Sequence, residues 1–211
     1  GLYTKKLHAL KNVYRGLEHE DEMVALFQHC LHDLNSAAPS IDTPLHGLLP
    51  FTHIDHLHPD ALIAIAASKD GPAIMKEIWG DSIAWIPWQR PGFDLGLQLE
   101  SCVQENPNIK GIILGSHGLF TWGNTSFECY INSLEVIEMA SNYLENKVAL
   151  NGNVFGGQKI TALESEIRIN QATAMAPILR GLCSSSQGMI GHFSDAPRVL
   201  EFINSHDLDR L

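Results

Sequence analysis

Ten residues, Phe51-Thr-His-Ile-Asp-His-Leu-His-Pro-Asp60, constrain the fold of this chain more than any other stretch. Residues two apart in an extended strand point to the same side. A strand from Phe51 to His58 therefore puts His56 and His58 on one face. Pro59 and Asp60 then suit the first turn of a helix. Proline lacks only an N–H that has no helical partner there, and aspartate faces the positive end of the helix. The small apolar residues from Ala61 to Ser68 continue that helix and can pack closely against a sheet. His53 stands three residues from His56, so in a strand it points away from the pair. A helical reading would put His53 and His56 on one face, but the Pro59 boundary and the β-like flank favour the strand.

The rest of the chain alternates between the same two patterns. Met23, Val24, Phe27, Leu31 and Leu34 follow the three- and four-residue steps of an amphipathic helix. Ala37 to Pro50 reads as loop or strand edge, and Ile83 to Pro87 as a short strand. Pro91-Gly-Phe-Asp94 forms a turn whose Asp94 is placed to cap a helix from about Leu95 to Gln104, although the same residue could line a site. Lys110 to Gly115 is too apolar to have a wet face and reads as a buried strand, ending in the turn Gly115-Ser-His-Gly118. Thr125-Ser-Phe-Glu128 matches a capping box that opens a long helix to about Leu150. Gly152 to Gly157 breaks it, and helix is expected again from Ile160 to about Arg180. Ser194-Asp-Ala-Pro197 opens a last short helix. Strands alternating with helices predict an α/β layered fold. A length of 211 residues fits one domain or one domain with an appendage. The expected division is residues 1–150 and a helical C-terminal extension over 151–211.

The formal charge of −10 argues against nucleic acid or an anionic membrane as partner. A local basic or metal-bearing pocket could still take an anionic small molecule. The four cysteines, Cys30, Cys102, Cys129 and Cys183, are widely spaced with no C-x-x-C pair. With no targeting pattern at the start, they read as reduced thiols of a cytoplasmic protein. No apolar run approaches the ~18 residues that span a bilayer. The chain starts at Gly1 without an initiator methionine, and a fragment is one reading of that.

His117, in the turn after the buried strand, is the third histidine of interest. Three imidazoles from two strand ends, with a fourth position open, describe a catalytic zinc site better than a structural one. His8, His19, His29, His32, His192 and His206 are expected to be ordinary surface or core residues. Upstream, Pro39-Ser-Ile-Asp-Thr-Pro-Leu-His46 carries Asp42. A carboxylate beside a metal can remove a proton made acidic when the metal polarises a carbonyl. On chemistry alone, capping of a turn or helix by Ser40 or Asp42 is the stronger reading. Groups behind the ligands should orient each liganding ring by hydrogen bonding, and His46 and Asp55 are the candidates. Trp85, Trp88 and Trp122 are expected in the core or an interface rather than stacked on substrate.

Four separated motifs, Asp42 through His46, His56-Leu-His58-Pro59, Pro91-Gly-Phe-Asp94 and Ser116-His117-Gly118, resemble in order and spacing the class II aldolase/adducin family. The likeness covers roughly residues 20–150. It implies a layered fold with a central mixed sheet flanked by helices, and zinc ligands at His56, His58 and His117. It also implies a catalytic carboxylate at Asp42, where the family normally has glutamate, one methylene longer. Longer strings, including Ile65-Ala-Ala-Ser-Lys69 and Pro87-Trp-Gln-Arg-Pro-Gly-Phe-Asp-Leu-Gly96, look like the aldolase half of bifunctional rhamnulose-1-phosphate aldolase/short-chain dehydrogenase (lactaldehyde dehydrogenase) proteins. Leu179-Arg-Gly181 and Ile190-Gly-His-Phe193 resemble the segment after that half, and the later dehydrogenase domain is absent here. The family's phosphate-binding Gly-Asn-x-Ser and Ser-Gly motifs are not found ahead of Asp42, as expected if the N-terminal part has been left out, the favoured reading, or if phosphate recognition has been lost.

The resemblance implies a phosphorylated sugar substrate, L-rhamnulose 1-phosphate cleaved to dihydroxyacetone phosphate and lactaldehyde, and a homo-oligomer, commonly a tetramer. An epimerase or decarboxylase on the same scaffold and a non-catalytic adducin-like binding module are the alternatives.

Overall fold

The computed structural model describes residues 1–152 and 154–210. It divides into two compact units, Gly1–Glu145 and Asn146–Leu211.

The first unit opens with α1 (Thr4–Ala9), α2 (Glu20–Leu26) and the short α3 (Thr43–Gly47). The amphipathic pattern predicted near residues 20–34 is realised only in part. α2 tightens into a 3₁₀ turn over Phe27–Cys30 and then stops. The loop expected over residues 37–50 contains α3, whose Pro44 sits where a missing N–H costs nothing. β1 (His53–Leu57) follows, then α4 (Asp60–Ala66), with Pro59 in extended backbone at the N-cap, one residue before the first turn in which the sequence predicts it. α5 (Gly71–Trp79) is an unpredicted helix. β2 (Ile83–Ile86), α6 (Phe93–Glu105), β3 (Gly111–Leu114) and β4 (Gly118–Gly123) come next. β4 was also not foreseen from the sequence. α7 (Ser126–Asn151) starts at the predicted capping box. Thr125 Oγ1 accepts from the Glu128 N–H at 3.1 Å, and Glu128 reaches back to the Asn124 N–H at 2.7 Å.

The sheet is mixed, with order β1-β4-β3-β2. β4 runs antiparallel to both β1 and β3, and β2 runs parallel to β3. The carboxyl ends of β1, β2 and β3 therefore share one edge with the start of β4. One face packs against α3 and α6 through Leu45, Leu95, Leu99, Ile112 and Phe120. The other packs against α4, α5 and α7 through Leu62, Ile65, Met75, Ile113, Leu119 and Val136. Strand alternation decides which side each residue serves. Ile112 and Ile113 are both 0% exposed, one toward each layer. The α/β layered fold with a central mixed sheet flanked by helices is thus the observed one.

The cap expected from Asp94 is supplied elsewhere. Asp94 lies inside the first turn of α6, and the carboxylate of Glu20, 2% exposed, accepts from the N–H groups of Phe93 and Asp94. A buried negative charge is tolerated there because unpaired helix N–H groups and the helix dipole stabilise it. Asp94 instead accepts from Tyr14, Gln89 and Gln98. Burial and that carboxylate hold the Tyr14 phenol well above its ordinary pKa.

The second unit holds α8 (Ser165–Cys183) and α9 (Pro197–Ile203). Residues 161–164, expected to be helical, lie outside α8. Arg168 pairs with Asp195 at 2.9 Å across the return from α8 to α9. No residue of α8 is buried, and Leu182 is 80% exposed. Among the described residues, no helix is long and apolar enough to cross a membrane.

Candidate metal centre

The site forms at the carboxyl edge of the sheet because three segments end there. β1 delivers His56 within the strand and His58 one residue past it, both on the same side by alternation. The β3–β4 turn delivers His117. In that turn the Gly115 N–H continues the β2–β3 ladder by donating to Ile86 O at 2.9 Å, and the Ser116 N–H donates to Ala66 O at 2.8 Å. Ser116 adopts a left-handed conformation with φ 54°. Such backbone costs on the order of 1 kcal/mol or more and persists where surrounding bonds over-determine it. The strain sits one residue before His117.

Ligating nitrogens of His56, His58 and His117 all lie within 4.8 Å of one another, the one such cluster of metal-binding side chains among the described residues. The His56 and His58 Nε2 atoms are 3.1 Å apart. Two nitrogens bound tetrahedrally to zinc stand roughly 3.3 Å apart, so the pair needs little adjustment to share an ion. The Nδ1–H of His56 is placed to donate to the Leu119 carbonyl at 3.0 Å. That bond fixes the tautomer and leaves the Nε2 lone pair free. His117 Nδ1 is buried with no hydrogen-bond partner. Burial pushes the His56 pKa down to about 4, helped by His117 and His58. Burial, followed by the neighbouring His58, lowers that of His117 too. Two of the rings are therefore held neutral at physiological pH, the state a metal ligand requires, and the donor set fits a divalent ion such as Zn²⁺.

Two further contacts position the rings. His56 stacks on Phe120, centroids 4.1 Å apart and planes 9° apart, and Phe120 is fully buried. Gly118 leaves the space that the pair occupies. A Cβ there would lie 2.5 Å from His58 Cδ2 and 3.0 Å from His56 Cε1.

Asp42 stands at the N-cap of α3 but makes no side-chain cap bond, whereas Ser40 does cap the turn, its Oγ accepting from the Asp42 N–H at 3.1 Å. Asp42 Oδ2 accepts from Ser40 Oγ at 3.4 Å, while Asp42 Oδ1 is buried without a partner. The Asp42 charge bears on His46, His56 and His117. Asp42, His46 and His56 line a groove of about 620 Å³ together with Thr43 and Phe51. His46 meets Phe120 edge-on at 5.5 Å and His56 at 6.4 Å, and burial lowers its pKa. It touches the rings without a hydrogen bond to a liganding nitrogen. Asp55 points to the opposite face of the sheet, where it accepts from Ser133 Oγ at 3.1 Å. The orienting acceptor for His56 is thus the backbone of Leu119, supplied by the unforeseen β4. The run Leu119-Phe-Thr-Trp122, rich in β-formers, was the signal for it.

The profile of the Class II Aldolase and Adducin N-terminal domain matches residues 12–144. The chain is 37% identical over 186 residues, 88% of its length, to a Bacillus subtilis (strain 168) protein named Uncharacterized oxidoreductase YuxG. The aligned stretch is 27% of that relative, so the chain spans about a quarter of the curated protein it matches. It also resembles the solved N-terminal class II aldolase domain of a conserved Thermoplasma acidophilum protein. That likeness has a TM-score of 0.61 and 26% identity, and covers 68% of this chain and 65% of the other. The chain belongs to the class II aldolase and adducin family.

Proposed function

We propose that this chain is the aldolase unit of a zinc-dependent enzyme that cleaves a ketose 1-phosphate, L-rhamnulose 1-phosphate by the sequence resemblance, to dihydroxyacetone phosphate and lactaldehyde. One observation carries the reading. Three imidazoles, two of them held neutral by burial, converge beside a carboxylate oxygen that is buried and unpartnered. His56, His58 and His117 hold the ion. When bound, it supplies Lewis acidity at the substrate carbonyl and the hydroxyl next to it. Leu119 O and Phe120 keep His56 aimed at it. Asp42 Oδ1 takes the proton of the hydroxyl on the carbon that leaves as aldehyde. As the carbon–carbon bond opens, the proton passes to the carbon left in dihydroxyacetone phosphate.

The Bacillus subtilis relative is named as an oxidoreductase and is much longer than this chain, which supports a redox activity elsewhere in the longer protein; in our reading a dehydrogenase domain there consumes the lactaldehyde. The free cysteines and the absence of a membrane-crossing helix among the described residues support a cytoplasmic setting. The family resemblance supports a tetramer, which light scattering on the purified chain would show.

The test is release of dihydroxyacetone phosphate from L-rhamnulose 1-phosphate by zinc-loaded protein, with loss on chelation and recovery on zinc addition. A new ketose phosphate isomer without triose would instead identify an epimerase. No metal uptake and no turnover would leave the adducin-like binding role.

A further inference from the structure

Trp88 departs from the burial of the other tryptophans. Trp79 and Trp122 are 6% exposed and Trp85 is half-buried, whereas Trp88 is 65% exposed. An indole is a large apolar body, and leaving it in water forgoes the stabilisation that burial gives. Its place is specific. Trp88 lies two residues past the carboxyl end of β2, on the sheet edge that carries His58 and His117. β2 and β3 are hydrogen-bonded neighbours, and Gly115, two residues before His117, packs directly against this segment. A Cβ at Gly115 would meet the Trp88 backbone nitrogen at 3.2 Å and Trp85 Cζ2 at 2.9 Å.

The segment carrying Trp88 is tethered on its C-terminal side and restricted by prolines. Gln89 donates to Asp94 at 3.2 Å, Arg90 pairs with Asp21 at 2.5 Å, and prolines at 87 and 91 fix φ on both sides. An exposed indole on a pinned segment is a pre-organised contact surface that loses little entropy on binding. A sugar chain is alternately polar and apolar, and its C–H face suits an indole face while its hydroxyls remain hydrated.

We infer that Trp88 is a specificity-determining residue, a platform for the part of a ketose carbon chain that extends beyond the carbons held at the histidine triad. This rests on the proposed sugar-phosphate reading of the site. Trp88 grips the end that leaves as the aldehyde. A ligand that stops at the triad, such as dihydroxyacetone phosphate, does not reach it.

The experiment compares wild type, Trp88→Ala and Trp88→Phe, all zinc-loaded. It measures binding of L-rhamnulose 1-phosphate and of dihydroxyacetone phosphate by calorimetry in an Asp42→Asn background, where cleavage is slowed, and cleavage kinetics with Asp42 in place. Trp88→Ala is expected to weaken the ketose phosphate about five- to tenfold in Kd and KM, the size of an aromatic contact. It leaves kcat, zinc content and triose phosphate affinity within about twofold, and Trp88→Phe restores most of the loss. Unchanged ketose affinity in Trp88→Ala, or an equal loss for both ligands, overturns the assignment. Trp88-dependent ketose binding without any cleavage would keep the platform and sink the proposed reaction. A wild-type protein that binds no ketose phosphate would overturn both.

Discussion

The two units of this chain use apolar residues in opposite ways. In Gly1–Glu145, both faces of the sheet are covered, and Leu99, Ile112, Ile113 and Phe120 are fully buried. In Asn146–Leu211, α8 buries nothing, and Ile178 and Leu182 stand 63% and 80% exposed. A liganding ring must be held within a fraction of an ångström, and only a packed layer does that. His56 is held by a bond to Leu119 O and a stack on Phe120, both on a strand locked between two neighbours. The second unit has a cavity of about 1430 Å³ edged by Met175, Leu179 and Phe193, which stand half-exposed around it.

The largest effect expected is chemical. Asp42→Asn keeps shape and removes the base, so cleavage should fall about 10²- to 10⁴-fold while zinc content stays unchanged. Steady-state kinetics beside metal analysis would show it, and loss of metal together with rate would make Asp42 a structural support instead. The contrast between units sharpens next in stability. Leu99→Ala should cost about 2–5 kcal/mol by opening a cavity in the core. Leu182→Ala should stay within about 0.5 kcal/mol. Urea unfolding of both variants decides this, and a large loss at Leu182 would mean that its face is covered in solution.

A finer break separates fold from site. Gly118→Ala puts a methyl group where the His56 and His58 rings lie. It also brings the methyl group within 2.8 Å of the Leu57 carbonyl, so it should weaken zinc about 10- to 100-fold, as loss of an orienting contact does, and shift the β1–β4 pairing locally; zinc titration beside circular dichroism checks both. The smallest effect is on pH dependence. His56 titrates near 6.5 when unfolded and at about 4 when folded, so the unfolded chain binds the extra proton between those values. The contribution of His56 to the stability of the metal-free protein is therefore fully present above about pH 6.5 and is progressively lost as pH falls toward 4. His56→Gln should flatten that slope in thermal melts.

The parts of this comparison that the sequence displayed were those with a local cause. Alternation and Pro59 placed β1 and α4, and Thr125 with Glu128 placed the start of α7. β4 was missed because Gly118 and Gly123 bracket it and read as turn formers, yet in the fold Gly118 makes room for the rings. Asp94 looked like a cap from its spacing. The cap comes from Glu20, 73 residues from Phe93 in sequence, and no local pattern reveals that. The histidines were legible as a cluster because strand geometry forces two of them together. That Asp42 leaves one carboxylate oxygen buried without a partner, rather than capping α3, depends on how α3 packs beside β1, a tertiary matter.

The most direct test of the account is the metal content of the purified chain, by elemental analysis, beside that of His117→Ala. About one zinc per wild-type chain and almost none in the variant is the predicted result. A wild-type chain that takes up no metal when zinc is offered, or a variant that keeps its full share, would contradict it.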